Sequence, residues 1–138
     1  MEKELKVVAI VQARLGSKRL PGKVLKKLNG IAAIEVLLKR LNKSSEVDEI
    51  IVATTENADD VKLCKFVEKL GFPTYKGSEK NVLKRFYNAA SKTKADIIVR
   101  ITGDCPLVDS SLVDTMLKQF KKLHCDYFSN VQPPTYPD

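Results

Sequence analysis

A chain of 138 residues is the length of one ordinary domain, and with 43% hydrophobic and 30% charged residues it can bury a core without disulfide staples. Its 24 basic and 17 acidic residues leave a net charge of +7, which favours an anionic partner without naming one. Three scattered cysteines with no CxxC pair, and a single histidine, argue against a zinc site. The short apolar run behind a charged start is neither a signal peptide nor a membrane span, so a cytoplasmic location is the default expectation.

Leu5 to Ala13 is nearly unbroken in apolarity and rich in Val and Ile, which predicts a strand buried on both faces, as in parallel sheets. Ala32 to Asn42 sets Ile34, Leu37, Leu38 and Leu41 at helical spacing. Glu49 to Thr54 predicts a second buried strand. A helix from Asn57 or Ala58 to Leu70 follows, with Val61, Cys64, Val67 and Leu70 as its inner stripe and Gly71 just past its end. Pro73 to Lys76 is a short third strand. Ser78 to Lys92 is a helix with Ser78 as its cap, and Asp96 to Thr102 is a fourth strand. Asp109 to Leu123 is a helix capped by Asp109 or Ser110. Asp126 to Val131 is a candidate fifth strand before Pro133-Pro134 breaks regular structure. Cys64, Cys105 and Cys125 read as small buried fillers, and Tyr87, Tyr127 and Phe128 as core or edge residues.

Strands alternating with helices require crossover connections and therefore a largely parallel sheet. Right-handed crossovers predict the strand order 3-2-1-4, with a ligand at the carboxyl ends where the order reverses between strands one and four. The loops that meet there are Arg14 to Lys23 and Gly103-Asp104-Cys105-Pro106. No carboxylate occurs from Arg14 to Ile34, so the first loop is cationic and uncompensated locally. It is not a P-loop, because Gly16 and Gly22 enclose five residues and Val24, not a hydroxyl residue, follows Lys23. The G-x-G-x-x-G pattern is missing as well. The residue types still suit phosphate: glycine permits close backbone approach, Arg14 offers a planar fork and Lys23 a point charge. Pro21-Gly22 fits the centre of a type II turn that would aim Lys23. A solvated basic loop is the alternative. Asp104 can hold a hard cation such as Mg2+ together with phosphate oxygens, or can simply stabilise its turn. Such a pairing of loops suits a nucleoside triphosphate and its metal ion.

Four blocks, "IVQARLGSKRLPGKVL", "DEIIVAT", "YKGSEKNVLKRFYNAA" and "IIVRITGDCPLVD", together resemble the cytidylyltransferases of the spore coat polysaccharide biosynthesis protein F type, relatives of the CMP-sialic acid and CMP-Kdo synthetases. The likeness runs from about Lys6 to the last residue. It implies a three-layer α/β/α sandwich of the nucleotide-diphosphosugar transferase type, with a Rossmann-like, mainly parallel sheet. It also implies an enzyme that transfers CMP from CTP to a sugar acid and releases pyrophosphate, with Mg2+ as cofactor. By the same resemblance Ala13, Arg14, Gly16 and Ser17 lie along the nucleotide, Lys23 reaches the outer phosphates and Asp104 binds the metal, which makes Arg14, Lys23 and Asp104 the catalytic set. Ser78, Asn81 and Arg85 fall near the base, ribose or acceptor, although Arg85 also reads as an exposed helix residue. Arg100 and Thr102 fall on the floor of the site. Family members are longer and continue past "YPD", so residues 1–138 are expected to form a single domain that is the N-terminal part of a longer one. In full-length form that protein is expected to be a homodimer, with no nucleic-acid or membrane partner. A non-catalytic nucleotide-binding module is the competing expectation.

Overall fold

A computed structural model describes residues 4–134, so the "YPD" end of the family likeness lies outside the described residues. The central strand β1 (Val7–Gln12) buries Val7 to Val11 almost completely, as its continuous apolar run requires of a strand covered on both faces. A 3-10 turn at Lys23–Leu25 leads into a hairpin of β2 (Lys27–Leu28) and β3 (Ile31–Ala32). The remaining elements are α1 (Ala33–Leu41), β4 (Glu49–Thr55), α2 (Asp60–Lys69), β5 (Thr74–Gly77), α3 (Val82–Thr93), β6 (Ile97–Thr102) and α4 (Ser110–Leu123).

The main sheet has four parallel strands in the order β5-β4-β1-β6, which is the expected 3-2-1-4. The first two crossovers run one way along the sheet and the third runs back, so right-handedness puts α3 on the opposite face from α1 and α2. The packing agrees. Val7, Ala9 and Val11 of β1 share a core with Leu37 and Leu41 of α1, Leu63 and Val67 of α2, and Val113 and Leu117 of α4. Val8 and Ile10 pack with Ile51 and Ala53 of β4 and with Phe86, Ala89 and Ala90 of α3. The chain is thus a three-layer α/β/α sandwich. Among the described residues no helix is long and apolar enough to cross a membrane.

Several elements depart from the sequence reading. The buried stripe of α2 is Asp60, Leu63, Cys64 and Val67, with Leu70 half-buried, and Val61 is on the outer side. This stripe follows the i, i+3, i+4, i+7 spacing, so Cys64, Val67 and Leu70 lie on the expected inner side, while its first position is an aspartate where an apolarity count selects Val61. A hairpin turning at Asn29-Gly30 stands between the expected cationic loop and the expected first helix; both residues take positive φ (50° and 84°), as a two-residue turn of this kind demands. Asp126–Val131 forms no strand: only Val131 bridges to Pro134, and no neighbouring strand completes a ladder. Tyr87 and Tyr127 are strongly exposed rather than core or edge residues, and of the cysteines only Cys64 is buried.

The helix α3 begins later than expected. Its cap is Asn81, whose side-chain oxygen accepts the Lys84 N–H at 2.9 Å, whereas Ser78 Oγ accepts the Asn81 N–H one turn earlier. An Asn81→Ala change is expected to destabilise the fold by about 1 kcal/mol, because it strips the oxygen from one of the orphan amides of the first turn. A thermal melt indistinguishable from that of the unaltered chain would show that the cap is dispensable. At α4 the expected Asp109 cap is present, accepting from the Ser111 and Leu112 amides.

Candidate functional site

The cationic loop leaves the carboxyl end of β1 through Ala13, which is buried and donates its N–H to the Ala53 carbonyl of β4. One peptide unit closes the loop. The Leu15 carbonyl accepts the N–H groups of Ser17 and Gly22, both at 2.9 Å. The Lys23 N–H returns to the Leu20 carbonyl, and Gly22 sits at φ +66°, which is the type II turn anticipated for Pro21-Gly22. At Gly16 no atom of the described residues beyond its chain neighbours lies within 4 Å of where a Cβ would stand and φ is not positive, so neither packing nor backbone geometry calls for glycine there. Open space beside a bare backbone is what a close-approaching phosphate needs. The Ser17 hydroxyl oxygen lies 3.5 Å from the Leu20 N–H.

The opposite loop leaves β6 at Thr102. Gly103 lies tight against β1: its N–H donates to the Gln12 carbonyl at 2.7 Å, and a Cβ there would stand 2.7 Å from that oxygen and 2.8 Å from the Ala13 Cβ. This close approach carries Asp104 across to the cationic loop, where Lys23 Nζ donates to its Oδ2 at 3.0 Å. The Lys23 ammonium holds the Asp104 carboxyl below the usual carboxylate range, with partial burial opposing it. Thr102 Oγ1 and Cys105 Sγ lie 3.2 Å apart on the exposed side of the same turn.

The third wall comes from the β4–α2 and β5–α3 turns. Arg14 pairs with Glu79 at 3.1 Å, and the other carboxylate oxygen of Glu79 accepts from the Asn57 side chain at 2.8 Å. Arg85 is 1% exposed, which corrects its reading as an exposed helix residue. It donates to the Ser78 carbonyl at 2.8 Å, and its stem fills the space that a Cβ at Gly77 would take, 2.9 Å from the Arg85 Cγ. Burial lowers the pKa of its guanidinium and the nearby Arg14 charge adds to that, while Asp60 and Glu79 pull the other way. Its Nε is a buried donor without a partner among the described residues.

Lys23 and Asp104 therefore meet directly, Arg14 pairs with Glu79 and lies near enough to Arg85 for their charges to interact, and Arg85 holds the Ser78 carbonyl. Ala13, Gly16 and Ser17 line the loop between these groups. The Asn81 side-chain oxygen is committed to the helix cap, and Arg100 leans on the Phe86 ring at 5.2 Å, on the α3 face of the sheet. Glu79 and Asn57 were not singled out by sequence reasoning. Glu79 carried a signal, as the first carboxylate after a predicted strand end.

No cluster of three or more carboxylate, histidine or cysteine side chains that could hold a metal ion occurs among the described residues. Magnesium takes one or two carboxylates when phosphate oxygens and water supply the remainder, and Asp104, about half exposed at the loop junction, fits that requirement.

A parallel sheet in this order, with a cationic loop meeting an aspartate at its switch point, is the arrangement of a nucleotide-binding α/β sandwich. Residues 8–136 match the cytidylyltransferase family, and the chain belongs to it. An uncharacterised protein of Methanocaldococcus jannaschii is 47% identical over 125 residues, covering 91% of this chain and 51% of its own length. The spore coat polysaccharide biosynthesis protein SpsF of Bacillus subtilis is 37% identical, covering 88% and 52%. Among solved structures, a cytidylyltransferase from Leptospira borgpetersenii superposes with a TM-score of 0.83 at 37% identity, covering 88% of this chain and 51% of that one. A CMP:2-keto-3-deoxy-manno-octonic acid synthetase solved with CTP gives a TM-score of 0.74 at 28% identity, over 85% and 48%. The chain spans about half the length of the curated relatives it matches.

Proposed function

We propose that the chain binds CTP with Mg2+ at the loop junction and serves the transfer of CMP to a sugar acid for surface polysaccharide synthesis, as a homodimer in a full-length form. The observation that carries this reading is the Lys23–Asp104 pair, which brings a cation and a carboxylate together from loops 81 residues apart. In the reaction an acceptor hydroxyl oxygen forms a bond to the α-phosphorus while the bond to the bridging oxygen breaks and pyrophosphate departs. Negative charge grows on the non-bridging and leaving oxygens, and Arg14 and Lys23 are the groups that would bind and offset it. Bound magnesium, held by Asp104, would supply further charge neutralisation. Family membership and the relative solved with CTP support cytidine as the base.

Calorimetry with CTP, UTP, ATP and GTP in the presence of magnesium tests the binding part. CTP is expected to bind at least about tenfold more tightly than ATP, equivalent to about 1.4 kcal/mol. Equal affinity for ATP would reduce the site to a general phosphate binder. Pyrophosphate release from CTP over a panel of sugar acids tests the transfer, and binding without any release would leave a nucleotide-binding module.

A further inference from the structure

We propose that Asp60 is a positioning residue that sets the shape of the phosphate-facing loop by holding the Leu15 N–H, an assignment that rests on the CTP reading above. Asp60 opens α2 and is 1% exposed on a stripe otherwise filled by Leu63, Cys64 and Val67. Packing alone would put an apolar side chain there. A buried carboxylate is expensive unless its oxygens are satisfied, so its partners account for its presence. Oδ1 accepts the Leu15 N–H at 2.7 Å across 45 residues of sequence, and Oδ2 accepts the Thr55 hydroxyl.

Leu15 is the residue on which the loop closes, since its carbonyl takes the amides of Ser17 and Gly22. Its N–H lies in the peptide plane just before that carbonyl, so holding the N–H anchors the Leu15 backbone from which the closed Gly16–Gly22 segment springs. The same β4–α2 turn reaches the neighbouring side chain as well. Asn57 donates its backbone N–H to Thr55 Oγ1, and its side-chain amide holds Glu79, which pairs with Arg14. The turn thus grips the backbone at Leu15 and the guanidinium at Arg14. A loop held in this way loses less freedom on binding, and that preorganisation enters the affinity.

The test compares Asp60→Asn and Asp60→Ala in the full chain by three measurements: CTP binding with magnesium, thermal melting, and amide hydrogen exchange. The asparagine can still accept from Leu15 with its carbonyl oxygen while its NH2 donates to Thr55, so its CTP affinity is expected within about threefold of the unaltered chain. Alanine leaves the Leu15 N–H without its acceptor, and binding is expected to weaken about tenfold or more. Faster exchange should be confined to Leu15, Ser17 and Gly22, with Val8 to Val11 unaffected. If the alanine variant does not fold, Asp60→Ser, whose side chain is one bond shorter, replaces it. A lowered melting temperature with unchanged CTP affinity would make Asp60 merely structural and overturn the proposal. Equal damage from asparagine and alanine would overturn it too, since charge rather than the hydrogen bond would then act. An unaltered chain that does not bind CTP would remove the nucleotide reading itself, whereas normal binding by the alanine variant would remove the assignment of Asp60 alone.

Discussion

Asp104→Asn is expected to leave the chain folded and to abolish the magnesium dependence of CTP binding. The side chain is about half exposed and its partner is a single lysine at 3.0 Å, so removing the charge breaks one surface ion pair, a change usually within about 1 kcal/mol of neutral. The consequence for a bound metal is larger. Among the described residues no other carboxylate is paired with the cations of the loop junction except Glu79, which is engaged by Arg14 and Asn57. An amide oxygen is a far poorer magnesium ligand than a carboxylate, so the gain in CTP affinity on adding magnesium should disappear. Any pyrophosphate release should fall by about a hundredfold or more, given that metal neutralisation contributes several kcal/mol. Retained metal dependence in a folded variant would reduce Asp104 to a turn residue. The pH dependence follows from the same pair. Because Lys23 depresses the folded pKa of Asp104, the favourable contribution of the pair is present above the unfolded carboxylate value and is lost as pH falls through the folded one. Magnesium-dependent binding should therefore not vary with pH above the usual carboxylate range as far as Asp104 is concerned, and should fail only as pH falls below that range.

Gly103→Ala is expected to destabilise the chain and to disable the site together. Its methyl group would stand 2.7 Å from the Gln12 carbonyl oxygen and 2.8 Å from the Ala13 Cβ, and both belong to the central strand or its immediate exit. Neither can swing away as the tip of a flexible side chain could. The end of β6 must move off β1, at a cost of about 1–3 kcal/mol as in overpacked cores, and the melting temperature should drop by several degrees. The displacement carries Asp104 away from Lys23, so nucleotide binding should weaken beyond what lost stability explains. Gly16→Ala is the contrasting change. Among the described residues beyond its chain neighbours it meets no atom within 4 Å, so the melt should be unchanged, and only phosphate binding should suffer. A Gly103→Ala variant with unaltered melting would mean that the strands accommodate the methyl group, and the close approach would lose its importance.

The architecture was legible because it follows from short-range pattern and chirality. The apolar run of β1 announces a strand covered on both sides, and its burial from Val7 to Val11 bears that out. Alternating strands and helices with right-handed crossovers leave little choice of order, and from that order the meeting of the Arg14–Lys23 loop with Asp104 could be anticipated. Local cues were weaker at element boundaries. Ser78 and Asn81 are both good capping residues, three positions apart, and only the backbone path after β5 decides which one ends up at the helix start.

What the tertiary structure alone decided are the long-range partners of polar groups. Periodicity reports which face of an element is apolar, and it assigns a charged residue to the outside by default. Nothing in its spacing singles out Asp60, although its carboxylate is buried against the N–H of Leu15, 45 residues earlier, and Arg85 also read as an exposed helix residue, although it is enclosed near Ser78. The pairing of Arg14 with Glu79 spans 65 residues and depends on where the β1 and β5 exits come to rest in the folded sheet. Such positions are set by packing distances of a few ångströms between elements remote in the chain, and no spacing within a single segment encodes them.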